Sequence, residues 1–487
     1  MRERAKTSLL KIAAGDTGNN LAVTRPGGWL PPRRFLQQLS LTMWLSFLMP
    51  VISAVACRVY YRLTVGGAAV PPKGAVLVVA NHTNSLMDPP LVVVAARRNI
   101  RFMAKATLFT HPAIGWLVKA VGSVPVYRQI DDPKLVTQNF DSFRDVHVAL
   151  AQGHAVGIFP EGISHSRSRL QPFKTGAARI ALGAALKIGG SFPIVPMGLV
   201  FRDRRTFRSA ARVIVGESFF WDDLASRGAD DKEAVRELTR RMDAAMRTVT
   251  LNLHDWADEQ LVRCAEQVWR SEFGASPEPG DEIARLRAAT DALARLRLGE
   301  DTSWRTVARE LRAHDRLLSR LGLTPQTLHL QVSSEAALQW LLGRLPWLVS
   351  LPLAAVGLVL FWIPRELAGA IGVKMARSEG EDAVPTFRVL YGCVIFIVWF
   401  LLLAVTASLA VGVWGGVLVF LSLPAFAFGA LVVGESRRLS WVTIRRFFVM
   451  RSQRERVLKL RERQRALAER LRDLFTTGAA NTPETPP

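Results

Sequence analysis

"VVANHTNSLMDPPLVV", Val78 to Val93, sets a histidine and an aspartate between two apolar runs. The "AVLVV" that leads into it (Ala75 to Val79) has the unbroken apolar character of a strand buried on both faces. Asn81 to Ser85 are loop formers, and Pro89 suits the first position of a helix with Asp88 as its N-cap. Strand, loop and helix in that order open a βαβ unit and predict an α/β fold. A turn with a capping aspartate would need no chemistry. It leaves unexplained why a histidine follows a strand, where side chains commonly project into a cleft at the sheet's edge.

Outward from this stretch, short apolar runs alternate with helical segments from Gly66 to about Leu224: "AVLVVA", "IRFMAK", "SVPVYR", "AVGIFP", "FPIVPMGLVF" and "ARVIVGE". The alternation predicts a mostly parallel sheet flanked by helices, with its site at the strands' carboxyl ends. Charged helical segments follow, among them "KEAVRELTRRMDAAMRTV" and "DEIARLRAATDALARLRLG", broken at "GASPEPGD" (Gly274 to Asp281) and at Pro325. The α/β domain is thus expected over 66–228 and a helical region over 229–334, with no internal repeat.

A chain of 487 residues is too long for one ordinary core. Its mean hydropathy of +0.17 alongside 21% charged residues implies that apolar and charged segments are segregated. Val389 to Gly434 runs 46 residues without Lys, Arg, Asp or Glu, enough for two bilayer crossings joined near Gly412 to Gly416. Two weaker apolar runs contain proline. Leu39 to Cys57 has Pro50 and is expected within a membrane-associated helix over 39–65; it begins too far into the chain, and lacks a convincing cleavage site, for a secretory signal. Leu345 to Ile363 has Pro346 and Pro352 and a closing Pro364, and is expected as a re-entrant or interfacial segment which, with the loop after it, covers 335–388.

The net charge is +22. Between Arg437 and Arg472 thirteen Lys or Arg face three Glu, an excess of ten that supplies nearly half of it. Next to a membrane helix such a segment reads as a basic cytoplasmic helix (435–474) drawn to anionic lipid head groups. Nucleic-acid binding is the competing reading, weakened because the charge abuts the apolar run and no nucleic-acid module accompanies it. A basic arm over 1–38 and a disordered tail over 475–487 complete the organisation. Cys57, Cys264 and Cys393 offer neither a disulfide framework nor zinc spacing, so no structural metal is expected and the soluble part belongs in a reducing compartment.

Three further stretches stand in order behind the first: "GSVPVYR" (Gly122 to Arg128), "FPEGISHSRSRLQPFKTGAARIAL" (Phe159 to Leu182) and "FPIVPMGLV" (Phe192 to Val200). Together the four resemble the motifs of the glycerolipid acyltransferase (PlsC-type) superfamily. Within it, Ser164-His165 after Glu161-Gly162, the Leu-x-Pro-x-Lys run ending at Lys174, and "TRRMDAAMRTVTLNLHDWADEQLVRCAEQVW" (Thr239 to Trp269) resemble the fungal-type glycerol-3-phosphate and dihydroxyacetone-phosphate acyltransferases.

The chemistry of acyl transfer fits these residues. An alcohol attacking a thioester needs a base, and a neutral imidazole is suited to that near pH 7. His82 is the expected base, with Asp88 orienting the ring and stabilising the imidazolium. Five residues separate them where the family pattern has four. Neither spacing brings the two side chains onto one face of a continuous helix, so the segment has to bend. By resemblance Arg128 holds the acceptor's phosphate, a task for which a planar guanidinium suits better than a point charge. Glu161 is expected to position a cation or the acceptor's hydroxyl, and Gly162 to let the backbone approach the ligand.

Where many family members carry an arginine two residues after that glycine, this chain has Ser164. Arg167 is the expected substitute for the missing charge, with Arg169 and Lys174 close behind it; all three also read as solvated loop cations. Lys105 is a further phosphate candidate. Ser164 and His165 are expected in the wall of the site, and Pro193 and Pro196 to shape the cleft or an acyl channel.

The leading expectation is an integral membrane enzyme that moves a fatty acyl group from acyl-CoA or acyl carrier protein to glycerol 3-phosphate or dihydroxyacetone phosphate, with no cofactor. Its catalytic domain is expected to face the cytoplasm from the inner membrane. The alternative acceptor is the lysophospholipid 1-acylglycerol 3-phosphate. A different class, a non-catalytic lipid-binding or scaffolding membrane protein, is disfavoured by the presence of His82.

Overall fold

The computed structural model of the chain describes residues 48, 50–111, 114–127, 139–165, 167, 169–253, 256–274, 279–298, 302–330, 335, 338–339, 342, 355–378 and 380–480. The basic arm, the apolar run before Pro50 apart from residue 48, Arg128, residues 343–354 and the last seven residues lie outside them.

Seven strands form one sheet: β1 (Arg62–Gly67), β2 (Val76–Ala80), β3 (Ile100–Lys105), β4 (Val124–Val126), β5 (Ala155–Ile158), β6 (Ile194–Phe201) and β7 (Ala210–Val215). Their order is β1-β7-β6-β2-β5-β3-β4. Only the β6–β7 pair is antiparallel. The sheet is therefore the mostly parallel one that the alternation predicts. β1 is a difference: it begins at Arg62, inside the region expected as a membrane-associated helix, and pairs with β7. Its edge position leaves most of its residues partly or fully exposed, so its apolar pattern is faint in the sequence.

β2 lies at the centre and is buried along its whole length. Leu77 and Val79 point to a core shared with α4 (Asn139–Ala151), α5 (Gly176–Ile188), the short α6 (Asp222–Ala225) and α7 (Lys232–Val249), while the short α3 (Gly115–Ala120) precedes β4 in the chain. Val76, Val78 and Ala80 point to the opposite core, with α1 (Pro50–Tyr60) and α2 (Asp88–Ala96). The period of two thus divides one apolar run between two hydrophobic layers. The chain leaves β2 toward β3 on one side, and later crosses from β5 to β6 on the other. The loop after β2 therefore opens at the kind of position where α/β sheets place ligands.

Behind the sheet, α8 (Trp256–Phe273), α9 (Pro279–Leu298) and α10 (Ser303–Leu321) form a helical layer. α11 (Trp362–Met375), α12 (Val384–Val411), α13 (Val413–Ser452) and α14 (Arg454–Ala480) follow. α12 and the first 19 residues of α13 are long and apolar enough to cross a membrane. Their turn is at Gly412, whose φ of +89° is open to glycine without strain. Ile397, Leu401, Val405 and Leu409 of α12 are exposed, a surface that a soluble fold would cover.

Three differences from the sequence reading fall here. Pro364 does not close an apolar segment but sits in the first turn of α11, where its missing N–H costs nothing, and much of the expected loop over 365–388 is helical. The basic segment is not one helix: α13 carries it to Ser452 and α14 starts at Arg454. α14 also continues to Ala480, into the expected tail, and buries Leu467, Ala468 and Leu471 against Leu261, Val268 and Leu311. Arg454, Arg456, Arg465 and Arg470 are exposed, while Arg461 turns inward to donate to Leu328 O.

Candidate active site

The loop Asn81–Met87 carries the bend that the spacing requires. Asn81 ends β2 by pairing its side chain with β6: Nδ2 donates to Leu199 O at 3.0 Å and Leu199 N donates to Oδ1 at 2.7 Å. The chain then turns so that His82 Nδ1 lies 2.8 Å from Asp88 Oδ2. Asp88 is fully buried, and the His82 side chain is 21% exposed. The same Oδ2 accepts the amides of Thr83 and Asn84, each at 2.8 Å. An ionised Asp88 requires the proton on Nδ1, which leaves Nε2 as the basic nitrogen. Phe159 stacks on the imidazole with centroids 4.2 Å apart and planes at 14°, fixing the ring's tilt.

Asp88 differs from its expected capping role. It is the first residue of α2, whose N-cap is Met87, and it makes no side-chain cap bond to its own helix. Its oxygen serves the preceding loop instead. A capping aspartate and an aspartate held for histidine look alike in sequence; the hydrogen bonds separate them.

Glu161 is buried and joins the first and third blocks. Its Oε1 accepts His82 N at 3.0 Å, and its Oε2 accepts Gln171 N at 2.8 Å and His165 Nε2. Oε2 thus takes two protein donors and Oε1 one, which leaves Oε1 a lone pair for a further contact. Gly162 has a φ of +75°, which suits glycine, and its N–H closes a turn onto Phe159 O at 3.0 Å. His165 is 9% exposed, as expected of a site wall, and its Nδ1 accepts Arg167 N at 3.2 Å.

A cleft of about 550 Å³, its open mouth included, lies beside this machinery. It reaches Asn81, Thr83, Glu161 and His165 but not the His82 ring, and is walled by Leu199, Val200, Phe201, Leu251 and Leu253. Arg167 and Arg169 reach it, although Arg167 Nη1 is already bonded to Gln171 Oε1. Lys105 is elsewhere, at the carboxyl end of β3 in register with Val126 of β4. Arg128 lies outside the described residues. Neither proline lines the cleft. Pro193 precedes β6 at the sheet's opposite end, its carbonyl accepting Leu77 N, and Pro196 is buried within the strand in register with Val79.

Arg204 was not singled out in the sequence. Its Nη1 donates to Thr83 O at 2.8 Å and to His165 O at 3.3 Å, clamping the two loops, and burial pulls its pKa down. Its backbone carbonyl accepts Tyr61 OH at 2.6 Å, and that hydroxyl accepts Asn84 Nδ2 at 2.7 Å. The run "RDRR" directly after β6 was the available signal, since it leaves a strand at the same sheet edge as His82.

The chain is similar to known acyltransferases. The family model described as Acyltransferase matches residues 62–200. Glycerol-3-phosphate O-acyltransferase 1 of Saccharomyces cerevisiae is 24% identical over 349 residues, 66% of this chain and 45% of that protein. A chloroplastic 1-acyl-sn-glycerol-3-phosphate acyltransferase of Brassica napus is 26% identical over 155 residues, 32% of this chain and 42% of that protein. This chain thus spans less than half the length of either relative. The crystal structure of the 1-acyl-sn-glycerophosphate acyltransferase from Thermotoga maritima aligns at 20% identity and a TM-score of 0.30, covering 44% of this chain and 95% of that one. Residues 62–200, which hold the His82–Asp88 pair and Glu161, are an acyltransferase domain.

Proposed function

We propose that the protein transfers a fatty acyl group from a thioester, acyl-CoA or acyl carrier protein, to a hydroxyl of glycerol 3-phosphate or dihydroxyacetone phosphate. The observation that carries this reading is the imidazole tied to buried Asp88 through Nδ1. Nε2 takes the proton of the acceptor hydroxyl as its oxygen attacks the thioester carbonyl. Collapse of the tetrahedral intermediate breaks the carbon–sulfur bond, and the imidazolium returns the proton to the leaving thiolate. Asp88 stabilises the imidazolium between these steps without taking its proton.

Arg128, which follows Val126 by two residues, Lys105, which pairs with Val126, and Arg167 at the cleft are the proposed anchors for the acceptor's phosphate. The two apolar helices support an integral membrane protein, and the cytoplasmic location of thioester donors favours a catalytic domain facing that side of the inner membrane. Similarity to the Brassica napus protein favours 1-acylglycerol 3-phosphate as the second acceptor to be tried.

The test is purified protein offered each acceptor with labelled acyl-CoA. Acylation of glycerol 3-phosphate or dihydroxyacetone phosphate is expected. Selective use of 1-acylglycerol 3-phosphate would install the second reading. His82→Ala should lower turnover by roughly 100-fold or more, the scale of general-base loss, and near-normal turnover in that variant would remove the catalytic pair.

A further inference from the structure

Ser85 in the catalytic loop is one of three described non-glycine residues with positive φ, at 49°. Such a conformation persists at a functional site only when its surroundings fix it. The surroundings here come from two distant parts of the chain. Ser85 N donates to Ser164 Oγ at 3.1 Å, and the Ser164 hydroxyl donates its single proton to Asp382 Oδ2 at 2.5 Å. Asp382 belongs to the 3-10 turn Glu381–Ala383 that leads into α12. Beside it Arg388 Nη1 donates to Arg205 O at 2.6 Å, and Val389 packs on the core that holds α1 and α2.

With its proton held by Asp382, the Ser164 oxygen keeps a lone pair directed at the Ser85 amide. Without that acceptor the hydroxyl can rotate, and the bridge between the two loops loses its orientation.

We propose that Asp382 is a positioning residue for acyl transfer: through Ser164 it fixes Ser85, and so the loop holding His82 and Asp88, making the reaction depend on the segment that enters the membrane. This rests on the acyl-transfer reading above, but the tether itself can be read separately.

The experiment uses the full chain in membranes or detergent, with Asp382→Ala, Asp382→Asn, Ser164→Ala and the Ala/Ala double variant. In Asp382→Ala, kcat is expected to fall between roughly tenfold and 100-fold, the range that small misplacement of a catalytic group produces, with KM for both substrates within about twofold. Ser164→Ala should do the same, and the double variant no more than the worse single one, since the two act through one bond. Asp382→Asn keeps an oxygen acceptor and should recover most of the loss. Hydrogen exchange at residues 83–87 should rise in Asp382→Ala and not in Asp382→Asn, whichever substrate the protein uses. Wild-type kcat in Asp382→Ala, losses that multiply, an equal loss in Asp382→Asn, or unchanged exchange would each overturn the proposal. A wild-type protein that acylates no glycerol phosphate, with the exchange pattern as expected, would instead overturn the reaction and leave the tether standing.

Discussion

Asp88 concentrates three donors, His82 Nδ1 and the amides of Thr83 and Asn84, on one oxygen, while its Oδ1 is without a hydrogen-bond partner. Asparagine can present its carbonyl oxygen to those donors, leaving one buried NH₂ in place of the unpartnered Oδ1, a smaller loss than three stranded donors. Asp88→Asn should therefore keep the fold and lose turnover, because the imidazolium loses its charge partner. Asp88→Ala strands two loop amides and should also destabilise the protein, by about 1–3 kcal/mol for each donor left buried. Turnover beside melting temperature in both variants checks this. The pair itself was legible in the sequence, because a histidine after a buried strand has few other uses. The bonds by which Glu161 ties the two loops together were not, since a motif names residues without showing which of their atoms other loops occupy. Asp382 was beyond reading altogether, 218 positions from the serine it holds. A second residue-scale expectation concerns Cys57 and Cys264, whose thiols burial pushes up to about 12. At pH 8 iodoacetamide should leave both unmodified in the native protein and label them after unfolding, as thiolate is the reactive form.

At the scale of elements, the contact between α10 and α14 turns on His314. It is fully buried, its Nε2 lies 3.3 Å from Gln464 Oε1, and its Nδ1 has no hydrogen-bond partner. Burial holds its pKa below the ordinary 6.5. The unfolded chain takes up this proton near 6.5 and the folded chain only at lower pH, so the contribution to stability is complete above 6.5 and is lost as pH falls through the folded value. Arg463, Asp315 and Glu272 lie near the ring, and His329 pairs with Glu272 beside Gln464. Hydrogen exchange over residues 454–480 should quicken between pH 7 and roughly 5.5, and His314→Gln should flatten that response. A response that survives the substitution would point to His329. The elements themselves were largely readable: the central strands and amphipathic helices declare their periods. β1 was not, because an edge strand needs few apolar residues, and the docking of α14 was hidden by the arginines on its outer face.

For the whole molecule, contacts restrict the path through a bilayer. Ser164 touches Asp382, so the catalytic domain and the turn before α12 share one side. α14 packs on α8 and α10, so the chain beyond α13 lies on that side too. Crossings by α12 and α13 satisfy both contacts, whereas a further crossing between residues 343 and 361 would break the first. A cysteine placed at Arg377, which is exposed, in a cysteine-free background should react with a membrane-impermeant reagent from the same side as one placed at Arg240. Labelling from opposite sides would show that the earlier apolar run spans.

α13 is a single helix of 40 residues, about 60 Å long. Its first 19 residues are the apolar ones, and near its far end Arg445 and Arg446 donate to the carbonyls of Arg320 and Gly322, where α10 closes. Beyond Pro424, the proline inside it, the helix behaves as a screw of fixed pitch. One residue inserted between 432 and 444 would turn everything beyond it by about 100° and swing both arginines off those carbonyls, whereas seven would restore the angle to within about 20° while adding about 10 Å of stand-off. The number of residues in this shaft therefore sets both the distance of the helical layer from the apolar helices and the compass direction in which it faces.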